Sequence, residues 1–450
     1  MLVHACGLVR FGNLPNSCII CRHKNFYKMR RDMMNYRHTA LGLLLASAIS
    51  FAFAGTPSAF PLQPLADKPR QITIKGLRGK VFYVPSTLAT IKWGYLSNAS
   101  DQPVLTVPSG ATVVFDTLSH EGLLEDQGRD PLKYFASQGV PAHQVLKDAL
   151  AITRSDLPHD FAKDGPHIIT GPVAIEGAEP GDVLKVDILS VVPRVGYGVI
   201  SNRHGKGALP GEFPEGPKPE SDAGAHAPEK FHNVSVFTPI RRNRAGQWEA
   251  VMKNSRGETI TFPTAPFMGV MGVAPATDQP VHSVPPGVHG GNIDVKDLGA
   301  GTTVYLPVFV PGANFYTGDP HMAQANGEVA LTALEHSMRA SFRFTLLKKG
   351  DPRIPSASGS LEKPLGETPR YWVAIGLNPD LDEAMKDAVR EAIRFLSEVM
   401  GMDRAVAYAY LSAATDFNVS QVVDRTKGIH ALIRKSDFRR VRSSLKPQKQ

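Results

Sequence analysis

Cysteine is nearly absent from this chain of 450 residues: Cys6, Cys18 and Cys21 are its only three, and no thiol follows them. Beyond Cys21 that excludes disulfides, thiolate metal sites and cysteine nucleophiles. Long hydrophobic runs are also missing. The longest, Ala40–Phe53, falls short of the roughly 20 residues a membrane-spanning helix needs, and no cysteine follows it to accept a lipoprotein anchor. The surplus of positive charge is misplaced for a nucleic-acid binder. Of the net +8, the first 54 residues hold seven Lys/Arg against the single acid Asp32, leaving only +2 for the rest of the chain, so no basic domain exists to grip phosphates. No G-x-S-x-G elbow, H-E-x-x-H helix, phosphate loop, G-x-G-x-x-G turn or Gly/Ser-rich serine-amidase signature occurs.

What the chain does have is 40 Gly, 36 Pro and 42% hydrophobic residues, a composition of short strands and many turns around a sizeable core. Met33–Ala54 reads as an export signal: Arg37 precedes the apolar run, and Ala52-Phe53-Ala54 fits the small-x-small cleavage rule before Gly55. The mature chain is expected to start near Gly55 in a secreted or periplasmic setting, with no stable membrane insertion after cleavage. Residues 1–32 are expected to be a dispensable extension, with the biological start at Met29, Met33 or Met34.

Period-two alternation predicts half-buried strands through Leu184–Ile188, Thr303–Val310 and Ser341–Leu346. Glu179-Pro180-Gly181-Asp182 places Pro and Gly where a type II turn wants them. Gly196–Lys230 and Lys349–Pro369 read as loops, the first long enough to be a lid. Strand patterning stops near Leu377. Asn378-Pro379-Asp380 then opens a helix with Leu381, Met385, Ala388, Ala392, Phe395 and Leu396 on one stripe, followed by a shorter helix over Arg404–Ala414. The expected fold is mainly β (α+β): a β-sandwich or barrel-like domain over 71–440 with a helical segment at 379–414. The amphipathic C-terminal helices suggest a homo-oligomer.

Three polar clusters are expected at strand ends. Asp116 to Glu121 offers a carboxylate and the His120 imidazole, a pair suited to Zn²⁺. His289-Gly290-Gly291-Asn292-Ile293-Asp294 has paired glycines that let backbone approach a ligand. Gly318-Asp319-Pro320-His321 is followed by Glu328 and Glu335. Taken singly, each also reads as a turn with a capping Asp or Asn and a satisfied histidine. Three such clusters together favour a site.

These strings carry a resemblance. Gly171 through Asp182, Met268 through Pro275, Pro285 through Asp294, and Pro307-Val308-Phe309 through His321 to Val329 resemble the acetamidase/formamidase family of linear-amide hydrolases, from about Ile72 to about Phe438. Met322 departs from the family's usual Ala. The resemblance implies hydrolysis of a small carboxamide to a carboxylate and ammonia by activated water, with Zn²⁺ as the expected metal and Ca²⁺ as a second candidate. Asp116, His120, His289 and Asp294 are then the expected metal ligands. Glu328 is the expected general base, Asn292 an oxyanion donor, and Asp319 and His321 the groups that orient water or protonate the leaving nitrogen. The spacing equally allows Asp319 and His321 to be the ligands, with Asp116 and His120 behind them. Two other readings stand beside this one: a metal-dependent hydrolase of cyclic or larger amides, and a non-catalytic secreted β-domain that binds a ligand.

Overall fold

A computed structural model describes residues 60–77, 79–441 and Ser443; the expected extension 1–32 and export signal 33–54 lie outside the described residues. The chain is mainly β, as composition suggested, with four α-helices among the described residues. Two large sheets organise it. A ten-stranded sheet runs from Arg70–Ile72 through Val81–Val84, Thr112–Asp116, Met338–Leu347, Val183–Pro193, Thr302–Pro307, Leu365–Glu367, Tyr371–Asn378 and Lys427–Arg434 to Asp416–Gln421. The second, of eleven strands, holds Tyr197–Asn202, Leu334–Glu335, Phe315–Ala323, Phe267–Gly272 and Gly290–Asn292 side by side, with Ile168–Ile175 also paired to Phe315–Ala323. Neither closes into a barrel, which corrects that half of the expectation.

The two sheets contribute to one core: Val113, Phe115, Val186 and Phe342 from the first sheet with Val173, Met268 and Phe315 from the second. Alternation in Thr302–Pro307 marks two different buried faces. Val304 and Leu306 join the core between the sheets, whereas Tyr305 packs with Trp372 and Phe395 beneath the helices. The strand is therefore buried on both sides rather than half-buried.

The Leu381–Glu398 helix starts where its Asp380 cap was legible, that side chain accepting from the Glu383 amide. Its stripe of Ala384, Ala388, Ala392, Phe395 and Leu396 is buried. Gly376 explains the close seat of this helix, because a Cβ there would lie 2.2 Å from the Ala388 nitrogen. Arg404–Ala414 forms the second helix as expected. The Glu179–Asp182 turn closes with Asp182 N–H donating to Glu179 O at 3.1 Å, with Gly181 at φ 92°.

Three expectations need correction. The start of the expected lid forms a paired strand, Tyr197–Asn202, and the loop begins only at Arg203. The second expected loop ends early, because Leu365–Glu367 adds a strand to the first sheet. Strands also resume after the helices: Asp416–Gln421 and Lys427–Arg434 return to the first sheet, and the turn between them reaches the site.

Candidate active site

The site grows out of four neighbouring strands. Phe315–Ala323 carries Asp319 and His321, and its register sets His321 opposite Glu335 on one side and Phe267 on the other. Val270 pairs with Asn292 across the next ladder, which brings Asp294 over Gly269. Gly269 is what lets them meet. A Cβ there would stand 2.5 Å from Asp294 Oδ1, 2.5 Å from Asp319 Oδ2 and 2.9 Å from His321 Cε1. The Asp-Pro-His segment thus lies inside a nine-residue strand, not at a strand end. Asp319 bends it through the left-handed region at φ 49°, and Pro320 has no N–H to lose from the ladder. Asp294 at φ 48° and Glu328 at φ 44° share this costly conformation, and such residues gather at functional sites.

The floor they build is crowded with ionisable groups. His321 Nε2 lies 3.0 Å from Asp319 Oδ2 and 3.1 Å from Glu335 Oε1. His167, at the start of Ile168–Ile175, puts Nε2 3.6 Å from Asp319 Oδ1, and His120 Nδ1 lies 3.9 Å from both Asp319 Oδ1 and Glu335 Oε2. Three sets have ligand atoms within 4.8 Å of one another: His120 with His167 and Asp319, Asp319 with His321 and Glu335, and Asp294 with His321 and Glu328. All are buried. Half-buried Asp424, from the turn after Asp416–Gln421, meets the Asp294 carboxyl within hydrogen-bonding range.

Burial raises the proton affinity of Glu328 well above the carboxylate range, helped by the negative charge of Asp294. Burial and then Asp319 push both Asp294 and Glu335 up to about 7. Asp319 is the exception: burial opposes its ionisation, but the neighbouring His321 and His167 outweigh it and hold the carboxyl far down. Burial pushes His167 down to about 4. His120 and His321 are raised instead, their carboxylate neighbours overcoming the burial cost.

This donor set fits a divalent cation. Both His120 nitrogens, Asp319 Oδ1, Glu328 Oε2 and Glu335 Oε2 are buried without a hydrogen bond. His321 supplies the clearest sign. Gln324 Nε2 donates to Asp294 O at 3.0 Å and Ser420 O at 3.1 Å, so its Oε1, 2.9 Å from His321 Nδ1, accepts from that nitrogen. In the neutral ring Nε2 then turns a bare lone pair toward two carboxylates, an arrangement that needs a proton or a cation between them. Carboxylates packed this closely stay ionised only when a positive charge is added.

Not every expected residue reaches this floor. Asp116 ends its strand opposite Arg339 and is saturated there: Arg339 Nε and Nη2 donate to its two oxygens at 2.6 and 2.9 Å, Tyr83 Oη donates at 2.6 Å, and Arg194 lies 3.5 Å away. Its carbonyl accepts from Thr170, which ties the His120 loop to the strand that begins beside His167. The structure therefore separates Asp116 from the cluster: its oxygens are committed to arginine. His289 sits in the Gly287–Gly290 turn, pushed down to about 4 by burial, outside the residues that line the cavity. His120, Asp294, Asp319, His321 and Glu328 do converge, and Asn292 lines the cavity with His120, Asp319 and Glu328. His167 and Asp424 were not foreseen. His167 is one histidine before an apolar strand, with no partner nearby in sequence. Ser420, His430 and Asp297 form a series at 2.7 and 3.3 Å, but with the imidazole reversed from a catalytic triad, Nδ1 facing the serine and Nε2 the aspartate. Ser420 is buried and outside the cavity lining, so this is a structural relay.

Above the floor opens a cavity of about 600 Å³. One wall is braced by Arg203, which donates to Asp126 at 2.7 Å and to Glu121 at 3.0 Å. Glu121 in turn lies 3.3 Å from His120 Nε2.

A β-rich hydrolase with a buried His/carboxylate centre is the class these features define. The sequence profile of the acetamidase/formamidase family matches residues 151–282 and 277–433, more than half of the chain, and the protein belongs to that family. It is an amidohydrolase acting on linear amides. It is 28% identical to a formamidase of Methylophilus methylotrophus over 57% of this chain and 73% of that one. It is 27% identical to an acetamidase of Mycolicibacterium smegmatis over 52% and 69%. Among solved structures, an acetamidase from Bacillus halodurans superposes with a TM-score of 0.59 at 25% identity, covering 80% of this chain and 99% of that one. One from Yersinia enterocolitica shares the fold, with a TM-score of 0.58 at 24% identity, covering 79% of this chain and 93% of that one.

Proposed function

We propose that the protein is an exported amidase that uses a divalent metal, Zn²⁺ by the chemistry of its donors, to hydrolyse short linear amides such as acetamide and formamide to carboxylate and ammonia. The observation that carries the metal is the bare His321 Nε2 turned toward Asp319 and Glu335. His120, His167, Asp319, His321 and Glu335 would hold the cation, a revision of the ligand set the resemblance implied. Once bound, the metal supplies Lewis acidity and acidifies water toward a pKa of about 7.

The chain's own residues do the rest. Glu328, buried at the cavity floor with Oε2 unpartnered, accepts the proton of the attacking water and passes it to the leaving nitrogen. Such transfer contributes ~10²–10⁴ in rate. The Asn292 amide lines the same floor and donates to the oxyanion as the carbonyl becomes tetrahedral. Asp294 and Asp424 share a proton beside Glu328 and keep it in the site. Arg203 and Glu121 fix the His120 ring. Export rests on the 33–54 signal pattern alone. Self-association is supported by Val406 and Tyr408, which stand exposed on the Arg404–Ala414 helix, and sedimentation of residues 55–450 tests it.

The deciding experiment measures metal content and ammonia release from acetamide and formamide on purified 55–450. Chelation should abolish release and Zn²⁺ should restore it, while Glu328→Gln should keep the metal and lose turnover. Full activity of the metal-free protein would overturn the metal reading, and near-normal turnover by E328Q would remove Glu328 from its role.

A further inference from the structure

Acetamide fills roughly the volume of three waters, ~90 Å³ at ~30 Å³ per water in the liquid. The cavity holds about 600 Å³, the range of pockets that enclose much larger ligands. Its charge is divided by depth. Asp319, Glu328 and Glu335 lie at the floor, whereas exposed Lys206 and Arg425 and half-buried Lys427 line the rim. Lys427 donates to Pro379 O at 2.6 Å. Lys206 and Arg425 have no carboxylate partner among the described residues. The rim acid, Asp164, is already bonded to Tyr95 Oη and the Asp160 amide.

Neither cation is placed at random. Lys206 closes a turn through its N–H to Arg203 O at 3.1 Å, and Ala208 N–H pins the next residues to Val329 O at 2.8 Å, beside Glu328. Arg425 is more telling. It sits at φ 61°, directly after Asp424 at φ 62°, a pair of left-handed residues where glycine is the unstrained choice for the second position. Asp424 reaches the site floor, and the exposed Arg425 that follows it lines the same cavity. His282 faces both cations: burial first, then Arg425 and Lys206, hold its proton affinity down.

We infer that the cavity takes linear amides that carry a carboxylate on a flexible arm, the amide group at the His/carboxylate floor and the carboxylate between Lys206 and Arg425. The inference rests on the amidase reading above. The basic rim attracts the charged end, which leaves the amide group to the floor. The reaction is unchanged: water adds to the amide carbon, the C–N bond breaks, and the nitrogen leaves as ammonia, or as an amine when the arm is on nitrogen.

The test compares kcat/KM on charged and neutral pairs: glutaramate against pentanamide for an arm on the acyl side, and N-acetylglycine against N-ethylacetamide for an arm on nitrogen. The full-length mature protein should prefer the charged member of one pair by about tenfold, mainly through KM, and added salt should erode the preference. In Lys206→Gln and Arg425→Gly the ratio should fall toward unity. R425G should fold at least as well as wild type, because glycine relieves the positive φ. Equal use of both members of both pairs by wild type overturns the inference while leaving the amidase intact, as does a ratio that neither substitution moves. No ammonia or amine from any of the four, nor from acetamide, overturns the amidase reading and this one with it.

Discussion

Gly269 contributes no side chain to the floor, yet its missing Cβ is the reason Asp294, Asp319 and His321 can converge. Gly269→Ala should leave a folded protein, since nothing in its backbone demands glycine, and should cut turnover by at least roughly tenfold, given that misplacing reacting groups by about 1 Å costs on the order of 10²-fold. Assay of kcat beside thermal unfolding checks this, and an unchanged kcat would remove Gly269 from the argument. Asp116 predicts the reverse pattern. Removing it leaves Arg339 without its carboxylate, while Arg194 keeps Asp148, and breaking a buried pair from one side costs about 3–5 kcal/mol. Asp116→Ala should therefore lower the urea midpoint sharply while the folded fraction takes up added Zn²⁺ as wild type does. Loss of metal without loss of stability would restore Asp116 as a ligand.

At the scale of elements, the loop after Tyr197–Asn202 is where the chain combines exposure with a role. Arg203 and Lys206 line the cavity, while Leu209 and Phe213 stand about half exposed on the same loop, at 48% and 45%. An exposed loop of this kind is a ready site of proteolytic nicking. A broad-specificity protease should cut first within 207–216, at bonds other than Leu209-Pro210 and Phe213-Pro214, and an unreactive amide analogue should slow that cut if the loop closes over bound ligand. First cleavage in the Pro355–Leu361 segment instead would contradict this.

Across the whole molecule, the acid side of stability is set in part by the Arg203 network. Burial opposes ionisation of Glu121, but Arg203, His120 and Ser201 outweigh it and hold its carboxyl at about 2, below its usual 4.5. A depressed folded value means this stabilisation is complete above pH 4.5 and is lost as the pH falls toward about 2. Unfolding curves over that window should show a slope that Glu121→Gln lacks, the variant starting less stable at neutral pH because Arg203 keeps only Asp126. Identical slopes would assign the acid transition to other groups. Export belongs to this scale too: N-terminal sequencing of secreted protein should read Gly55 or a neighbour, and an intact Met1 chain in the cytosol would count against the signal.

Local chemistry was enough for the elements whose signals are local. The Asp380 cap and apolar stripe marked the Leu381–Glu398 helix, Pro180-Gly181 marked the turn, and alternation marked the Val183–Pro193 and Met338–Leu347 strands. The strings around Asp294, Asp319, His321 and Glu328 likewise pointed to the site, because acids and histidines beside glycines have little structural use. Roles were another matter. Asp116 and His120 are four residues apart, but the ladder to Met338–Leu347 sets an arginine against the first, and the turn that follows carries the second to the floor. His167, Glu335 and Asp424 come from three distant segments and meet only because Phe315–Ala323 pairs with the segments of the first two and the turn of the late hairpin carries the third. Strand register and sheet order decide which carboxylates meet the histidines and which are neutralised by arginine. Those contacts span the length of the chain, so spacing along it could not encode them.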